Sequence, residues 1–318
     1  SQEQQARKDE LWEKFFAKKS ELLSGAKKIE GFKLGETCAR PKPGSAADQW
    51  LKAITPLDRE VNALLREIVS SQPDAASYAH AAIPPDKLWV WGGPTPYWYG
   101  SMDDDTLVKG ADYFKAKNVV YVYGAVNEKM LGLHAKYDKL LCQVTAISRS
   151  PGAQPESDEE NAEKLSRLSR QFPNLIGGII DDMSGIGRDP NDPKIVKPDK
   201  IANVYKALKR HNSQLKLYGV VYQKELADLD FSPILPYLDA VNFWFWRKDE
   251  LLTFDRDIAR CAELFPGKPI LLGLFMHDYG FSDIGNMPEL LKYQLKKAEI
   301  HIKNGTLEGL VILGDREI

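Results

Sequence analysis

The sequence predicts an α/β chain: one (β/α)8 (TIM) barrel over residues 86–318, behind an N-terminal helical extension over residues 1–85. Three observations predict it. From Lys87 onward, eight short apolar runs alternate with amphipathic helical segments. The runs are hydrophobic almost throughout, as parallel strands covered on both faces must be. Finally, the 318 residues less an extension of roughly 80 leave about 230, which suits one barrel better than two small domains.

The extension reads as helical. Trp12, Phe15, Phe16, Leu22 and Leu23 recur at helical spacing among charges, and the segment "GETCARPKPGSAAD" then breaks the pattern. A second helix follows in "DQWLKAITPLDREVNALLREIVSS", where Leu57, Val61, Leu64, Leu65 and Ile68 form one stripe. Pro84-Pro85 closes the extension. The eight runs are "KLWVWG", "VVYVYG", "LLCQVTAI", "LIGGIIDD", "KLYGVVY", "AVNFWFW", "PILLGLFM" and "LEGLVILG". Helices such as "SDEENAEKLSRLSRQF", "KPDKIANVYKALKRH", "LLTFDRDIARCAELF" and "MPELLKYQLKKAEIHIK" lie between them. Eight such strands close most naturally into a ring. An open doubly wound sheet would carry a Gly-rich phosphate loop after an early strand, and no G-x-G-x-x-G or Walker-type motif is present. No outer helix follows the eighth run, so a helix of the extension is expected to pack across the gap between the first and eighth strands.

Composition narrows the function classes. A hydrophobic content of 43% supports a sizeable core, and a net charge of −2 gives no electrostatic footprint for nucleic acid. No run of about 18 apolar residues offers a membrane span. Cys38, Cys142 and Cys261 match no zinc spacing and read as buried thiols, so neither a metal nor a cofactor is expected. Seven Trp and 13 Tyr fit recognition of a carbohydrate or another planar ligand. The chain opens at Ser1, so a removed N-terminal segment is expected, with a secreted or periplasmic location ahead of a cytoplasmic one. Oligomeric state is not legible.

In barrels, active groups project from strand C-termini and the loops beyond them. At the first, Trp91, Tyr97, Trp98 and Tyr99 make either a stacking surface for a sugar or a loop folded over its own aromatic cluster. Glu128 follows the second, where a solvated helix start is the blander reading. Gln143, Thr145 and Ser148 end the third, as ligand contacts or a polar barrel layer. The fourth carries the sharpest signal: Asp181 and Asp182 leave an apolar run directly. Alternation sends one to the mouth and the other to the strand–helix interface or a neighbouring strand. Burial beside apolar atoms gives such a carboxyl the tuning of a general acid. The fifth offers Tyr222, Gln223 and Glu225, and the sixth Asn242, Trp244, Trp246 and Arg247. Trp244 and Trp246 share a face opposite Phe243 and Phe245; facing inward, as expected, they form a floor for a pyranose ring, and facing outward they pack under helices. The seventh brings His277, Asp278 and Tyr279 together, with Asp278 as second catalytic carboxylate and His277 to orient it or hold a ligand hydroxyl. This pair lacks the spacing of a metal site. Asp315 at the eighth joins the substrate-binding candidates, although it and its neighbours Arg316 and Glu317 are equally placed to meet the extension.

The segments "LIGGIIDDMS" and "LDAVNFWFW" resemble the fourth and sixth strands of barrel glycoside hydrolases, loosely of the chitinase-like type. The resemblance runs by strand order from Lys87 to Ile318. It implies alternating acids on the fourth strand ending in a catalytic glutamate. Asp182 matches the last aspartate of that pattern, and Ser184 stands where the glutamate belongs, which argues against substrate-assisted chitinase chemistry.

Two readings follow. The first is an enzyme cleaving a polysaccharide or glycoconjugate, with Asp181 or Asp182 and Asp278 as the carboxylate pair. A separation of about 5 Å would imply retention and one of roughly 6.5–9.5 Å inversion. The binding set is Trp91, Trp98, Tyr222, Trp244, Trp246, His277 and Asp315. The second is a barrel without hydrolytic activity that binds a glycan through the same aromatic mouth.

Overall fold

A computed structural model of the chain describes residues 6, 10–18, 20–21, 43–72, 74–95, 101–145, 157–184, 198–274, 276 and 288–314. The chain divides into two compact units. The larger holds Ile83–Phe245, Asp255–Leu274 and Ala298–Ile318. The smaller holds Ser1–Ala82, Trp246–Phe254 and Phe275–Lys297.

The larger unit is a closed barrel of eight parallel strands, paired in sequence order with the first bonded to the last. Each apolar run became a strand: β1 (Leu88–Gly92), β2 (Asn118–Tyr121), β3 (Lys139–Gln143), β4 (Leu175–Ile180), β5 (Lys216–Tyr222), β6 (Ala240–Trp244), β7 (Ile270–Gly273) and β8 (Gly309–Leu313). Val90 pairs with Val119 of β2 on one side and with Ile312 of β8 on the other, so the ring closes strand to strand. Helices α3 (Thr106–Phe114), α4 (Glu128–Leu133), α5 (Asp158–Leu168), α6 (Pro198–Lys209), α7 (Phe254–Leu264) and α8 (Pro288–Lys303) connect successive strands.

Period-two alternation fills the barrel. Trp89, Trp91, Val120, Val122, Leu141, Ile179, Tyr218, Val220, Trp244, Leu271 and Val311 belong to one buried cluster. Each such side chain contributes about 1.5–3 kcal/mol by leaving water. Small residues leave room for the largest: the Trp244 ring lies 1.9 Å from where a Cβ on Gly273 would stand, so that position admits only glycine. Outside the ring, α5 begins on a capping box. Ser157 Oγ accepts the Glu160 N–H at 3.2 Å, and Glu160 Oε2 accepts the Ser157 N–H at 2.8 Å. Cys142 in β3 and Cys261 in α7 are buried, and burial pushes their thiols up, that of Cys261 to about 12. Cys38 lies outside the described residues.

The smaller unit begins with a helix over residues 10–18 (α1) and a second, α2 (Ala46–Ser70), whose N-cap Ser45 accepts the Asp48 N–H at 3.2 Å. Of the expected stripe, Val61, Leu65 and Ile68 are buried and Leu64 is half-buried. The Leu57 side chain lies outside the description. Lys18 of α1 pairs with Glu60 of α2 at 2.8 Å. The segment after β6 joins the same unit through a fully buried ion pair between Lys248 and Asp58. The start of α8 joins through Arg66–Glu289 at 3.1 Å and Tyr78–Tyr293 stacked edge to face. Among the described residues, no helix is long and apolar enough to cross a membrane.

Candidate functional site at the mouth of the barrel

The exits of β4 and β5 form one cross-linked structure. Ile179 points into the barrel, β4 ends at Ile180, and Asp181 follows half-buried at the strand's exit. Asp182 then takes a left-handed conformation (φ 49°), which aspartate tolerates better than most residues. Its own N–H donates to Asp181 Oδ1 at 3.0 Å, and its Oδ1 accepts the hydroxyl of Tyr222 at 2.5 Å. Asp182 thus turns to the neighbouring strand. Met183 fixes the turn from the other side: its sulfur lies 2.3 Å from where a Cβ on Gly219 would stand, a hollow only glycine leaves.

Tyr222 continues the inward series Tyr218, Val220 on β5. Burial first, then the charges of Asp181 and Asp182, hold its phenol far above the usual tyrosine range. It is therefore a neutral donor aimed at a carboxylate. Its backbone N–H donates to Glu225 Oε2 at 2.9 Å, and Ser184 donates its hydroxyl to Glu225 Oε1. Glu225 is 3% exposed, with each oxygen engaged. Beside it, Gln223 Nε2 donates to Asp257 Oδ2 at 2.8 Å.

A second chain of hydrogen bonds links β1, β2 and β3. Trp91 Nε1 donates to the Tyr123 hydroxyl at 3.2 Å, the Tyr123 N–H donates to Gln143 Oε1 at 3.1 Å, and Gln143 Nε2 donates to Thr145 Oγ1 at 2.6 Å. Tyr123 is also left-handed, with φ 68°. On β6, Trp244 Nε1 donates to Asn242 Oδ1 at 2.8 Å, and Asn242 Nδ2 donates to the Leu271 carbonyl at 3.1 Å.

The expected residues distribute unevenly. Asp181, Asp182 and Tyr222 come together. Trp91 and Trp244 point inward, but they meet edge to face (5.8 Å, 80°) at 3% and 8% exposure. Both indoles are packed in the buried cluster of the barrel. β6 ends at Trp244, so strand alternation does not reach two residues further, and Trp246 belongs to the smaller unit. There its N–H donates to Glu250 Oε2 at 2.8 Å, a carboxyl that burial pushes up. Phe243 and Phe245 do pair, edge to face at 5.1 Å. Glu128 is exposed at the start of α4, in line with its blander reading. Trp98, His277, Asp278 and Asp315 lie outside the described residues, as do Tyr97, Tyr99 and Ser148. The residue that sequence reasoning left out of its site set is Glu225. Its spacing of three from Tyr222 is a capping signal, but its partner Ser184 is 41 residues away.

The site thus offers two adjacent carboxylates and a neutral phenolic donor locked onto one of them. It is equipped to accept and donate hydrogen bonds to a polyhydroxylated ligand and to move a proton.

No protein-family model matches the chain, and no curated protein matches it. Among solved structures it is similar to a β-glucuronidase of Bacteroides uniformis at 12% identity and a TM-score of 0.49, over 71% of this chain and 30% of that one. It is similar to a GH10 xylanase of Thermobacillus composti at 10% identity and a TM-score of 0.46, over 73% of this chain and 84% of that one. A third is a glycoside hydrolase family 18 N-acetylglucosaminidase of Paenibacillus barengoltzii, at 12% identity and a TM-score of 0.41, over 71% and 94%. These structural neighbours are glycoside hydrolases of several families.

Proposed function

We propose that the chain is a glycoside hydrolase acting on a polysaccharide or glycoconjugate, with its acid–base chemistry at the C-terminal face of the barrel. The observation that carries this reading is the convergence of Asp181, Asp182 and the Tyr222 hydroxyl where β4 and β5 end. In hydrolysis one carboxyl protonates the glycosidic oxygen while a second attacks the sugar or activates water. The Tyr222 proton commits one oxygen of Asp182 to a fixed orientation, which suits a carboxylate that acts as base or nucleophile. Asp181, half-buried beside it, is the neighbouring candidate for proton donor. A third carboxyl, Asp278, enters the proposal from the sequence alone. For such a substrate we propose a secreted or periplasmic location ahead of a cytoplasmic one.

One observation favours a second reading, a glycan-binding barrel without turnover. Ser184 stands where the chitinase-like pattern has its glutamate, and the nearest buried glutamate, Glu225, has both oxygens engaged.

The experiment is release of reducing ends from a polysaccharide panel by the purified protein and by Asp181→Asn, Asp182→Asn and Asp278→Asn. Hydrolysis requires at least two of these to lose turnover while retaining fold and ligand binding. Full activity in all three variants removes the assignment. Binding without turnover in the parent protein selects the second reading.

A further inference from the structure

A cleft of about 500 Å³ opens between the exits of β1 and β2, outside the Asp181–Asp182–Tyr222 cluster. That volume falls within the roughly 300–1,000 Å³ typical of small-molecule sites. Tyr121 and Tyr123 form its inner wall, Met102 and Leu133 supply exposed apolar surface, and Asp104 and Lys129 face each other across 2.6 Å at its edge.

Two features mark it as built for a ligand. Tyr121 is 95% buried in the complement of its 5% exposure, yet lines the cleft, and no described residue meets its hydroxyl with a hydrogen bond. The hydroxyl stands 2.0 Å from where a Cβ on Gly124 would be, so only glycine lets it reach this wall. Burial holds the phenol well above the ordinary tyrosine range, leaving a neutral donor at the wall of the cleft. The second feature is the backbone of Tyr123, held at φ 68°. A left-handed tyrosine is strained by about 1–3 kcal/mol, and such strain persists only where surrounding structure imposes it. Here Gln143 holds its N–H and Trp91 holds its hydroxyl, so the ring is clamped as a wall from β1 and β3 together.

We propose that this cleft is a separate binding subsite for one neutral pyranose unit. Tyrosine and methionine present a surface for the apolar C–H face of the ring. The Tyr121 hydroxyl meets a ring substituent, and a vicinal diol bridges the edge, one hydroxyl donating to Asp104 and its neighbour accepting from Lys129. An uncharged sugar satisfies both members of that ion pair, whereas a charged one opposes one of them. The identity of the ligand as a sugar rests on the glycoside hydrolase reading; the cleft and its phenolic donor do not.

The test is saturation-transfer NMR with methyl glycosides of glucose, galactose, mannose, xylose and N-acetylglucosamine. The proteins are the parent chain, Tyr121→Phe, Tyr123→Gly and Asp182→Asn. Tyr123→Gly removes the ring while relieving the backbone, and Tyr121→Phe removes only the hydroxyl, so both are expected to fold. At least one glycoside should bind the parent and Asp182→Asn alike, bind Tyr121→Phe about five- to tenfold more weakly, as loss of one hydrogen bond implies, and fail to saturate Tyr123→Gly. Absence of binding by every glycoside overturns the proposal. So does binding that both tyrosine variants leave unchanged but Asp182→Asn abolishes, which would keep the hydrolase reading and reject the subsite. Cleft-dependent binding in a protein that turns over no polysaccharide keeps the subsite and rejects the hydrolase reading.

Discussion

Ser184 at the exit of β4 donates its hydroxyl to Glu225 at the exit of β5, and the same carboxylate receives the backbone N–H of Tyr222. One buried anion therefore ties together the two strand ends that present Asp182 and Tyr222. Glu225→Ala leaves a buried hydroxyl and a backbone N–H without their acceptor, at a cost of about 1–3 kcal/mol. In a unit of this size that lowers the melting temperature by several degrees. Glu225→Gln keeps one acceptor and is expected to fall between. Thermal unfolding followed by circular dichroism checks the order; a melting temperature unchanged in Glu225→Ala contradicts it.

Tyr222→Phe isolates the hydroxyl that Asp182 accepts. The ring volume stays, while the carboxylate loses a charge-assisted hydrogen bond of about 1.5–3 kcal/mol. If Asp182 takes part in turnover, the rate falls roughly tenfold to a hundredfold. Steady-state kinetics on any polysaccharide the parent cleaves provide the measurement. Parent-like kinetics would mean that Tyr222 positions nothing the reaction uses.

The fold was more legible than the site, for a physical reason. Parallel strands buried on both faces must be apolar along their whole length, so each of the eight runs announced itself without knowledge of its neighbours. Strand ends were harder. "VVYVYG" reads as one run, yet β2 stops at Tyr121 because Tyr123 turns left-handed. The run "AVNFWFW" likewise stops at Trp244, so Trp246 lies beyond the strand. Asp181 and Asp182 stood out because charge directly after an apolar strand must lie at its rim. That Asp182 folds back onto Tyr222, and that Ser184 is met by Glu225, depends on residues about 40 positions apart brought together by adjacent strands. No local pattern encodes that.

In the smaller unit, Lys248 and Asp58 form a buried ion pair at 6% and 0% side-chain exposure, and Asn62 Nδ2 donates to the second oxygen of Asp58 at 3.1 Å. Removing one charge strands the other away from water. Lys248→Met and Asp58→Leu are each expected to destabilise this unit by about 3–5 kcal/mol, whereas the double replacement recovers most of that loss. Urea unfolding of the four proteins closes the cycle. Additive losses in the double variant would show that the two side chains contribute independently.

His134 makes stability depend on pH. It is fully buried, with rings of Tyr121 and Tyr137 at 5.4 and 6.2 Å. Its Nδ1 lies 2.8 Å from the Met130 carbonyl, so Nδ1 carries the proton and donates. Nε2 is buried with no hydrogen-bond partner among the described residues. Burial, assisted by the charge of Lys136, lowers the folded pKa below the ordinary histidine value. Above about pH 6.5 the ring is neutral in both the folded and unfolded chain, and contributes no pH dependence. As pH falls through that value, the unfolded chain takes up a proton that the folded chain refuses, so stability declines. His134→Gln retains an N–H for the Met130 carbonyl and cannot titrate. Unfolding free energies at pH 7, 6 and 5 should therefore fall less steeply for the variant than for the parent. Parallel slopes would mean that the folded ring accepts its proton as readily as the unfolded one, and that its buried Nε2 is reached by water.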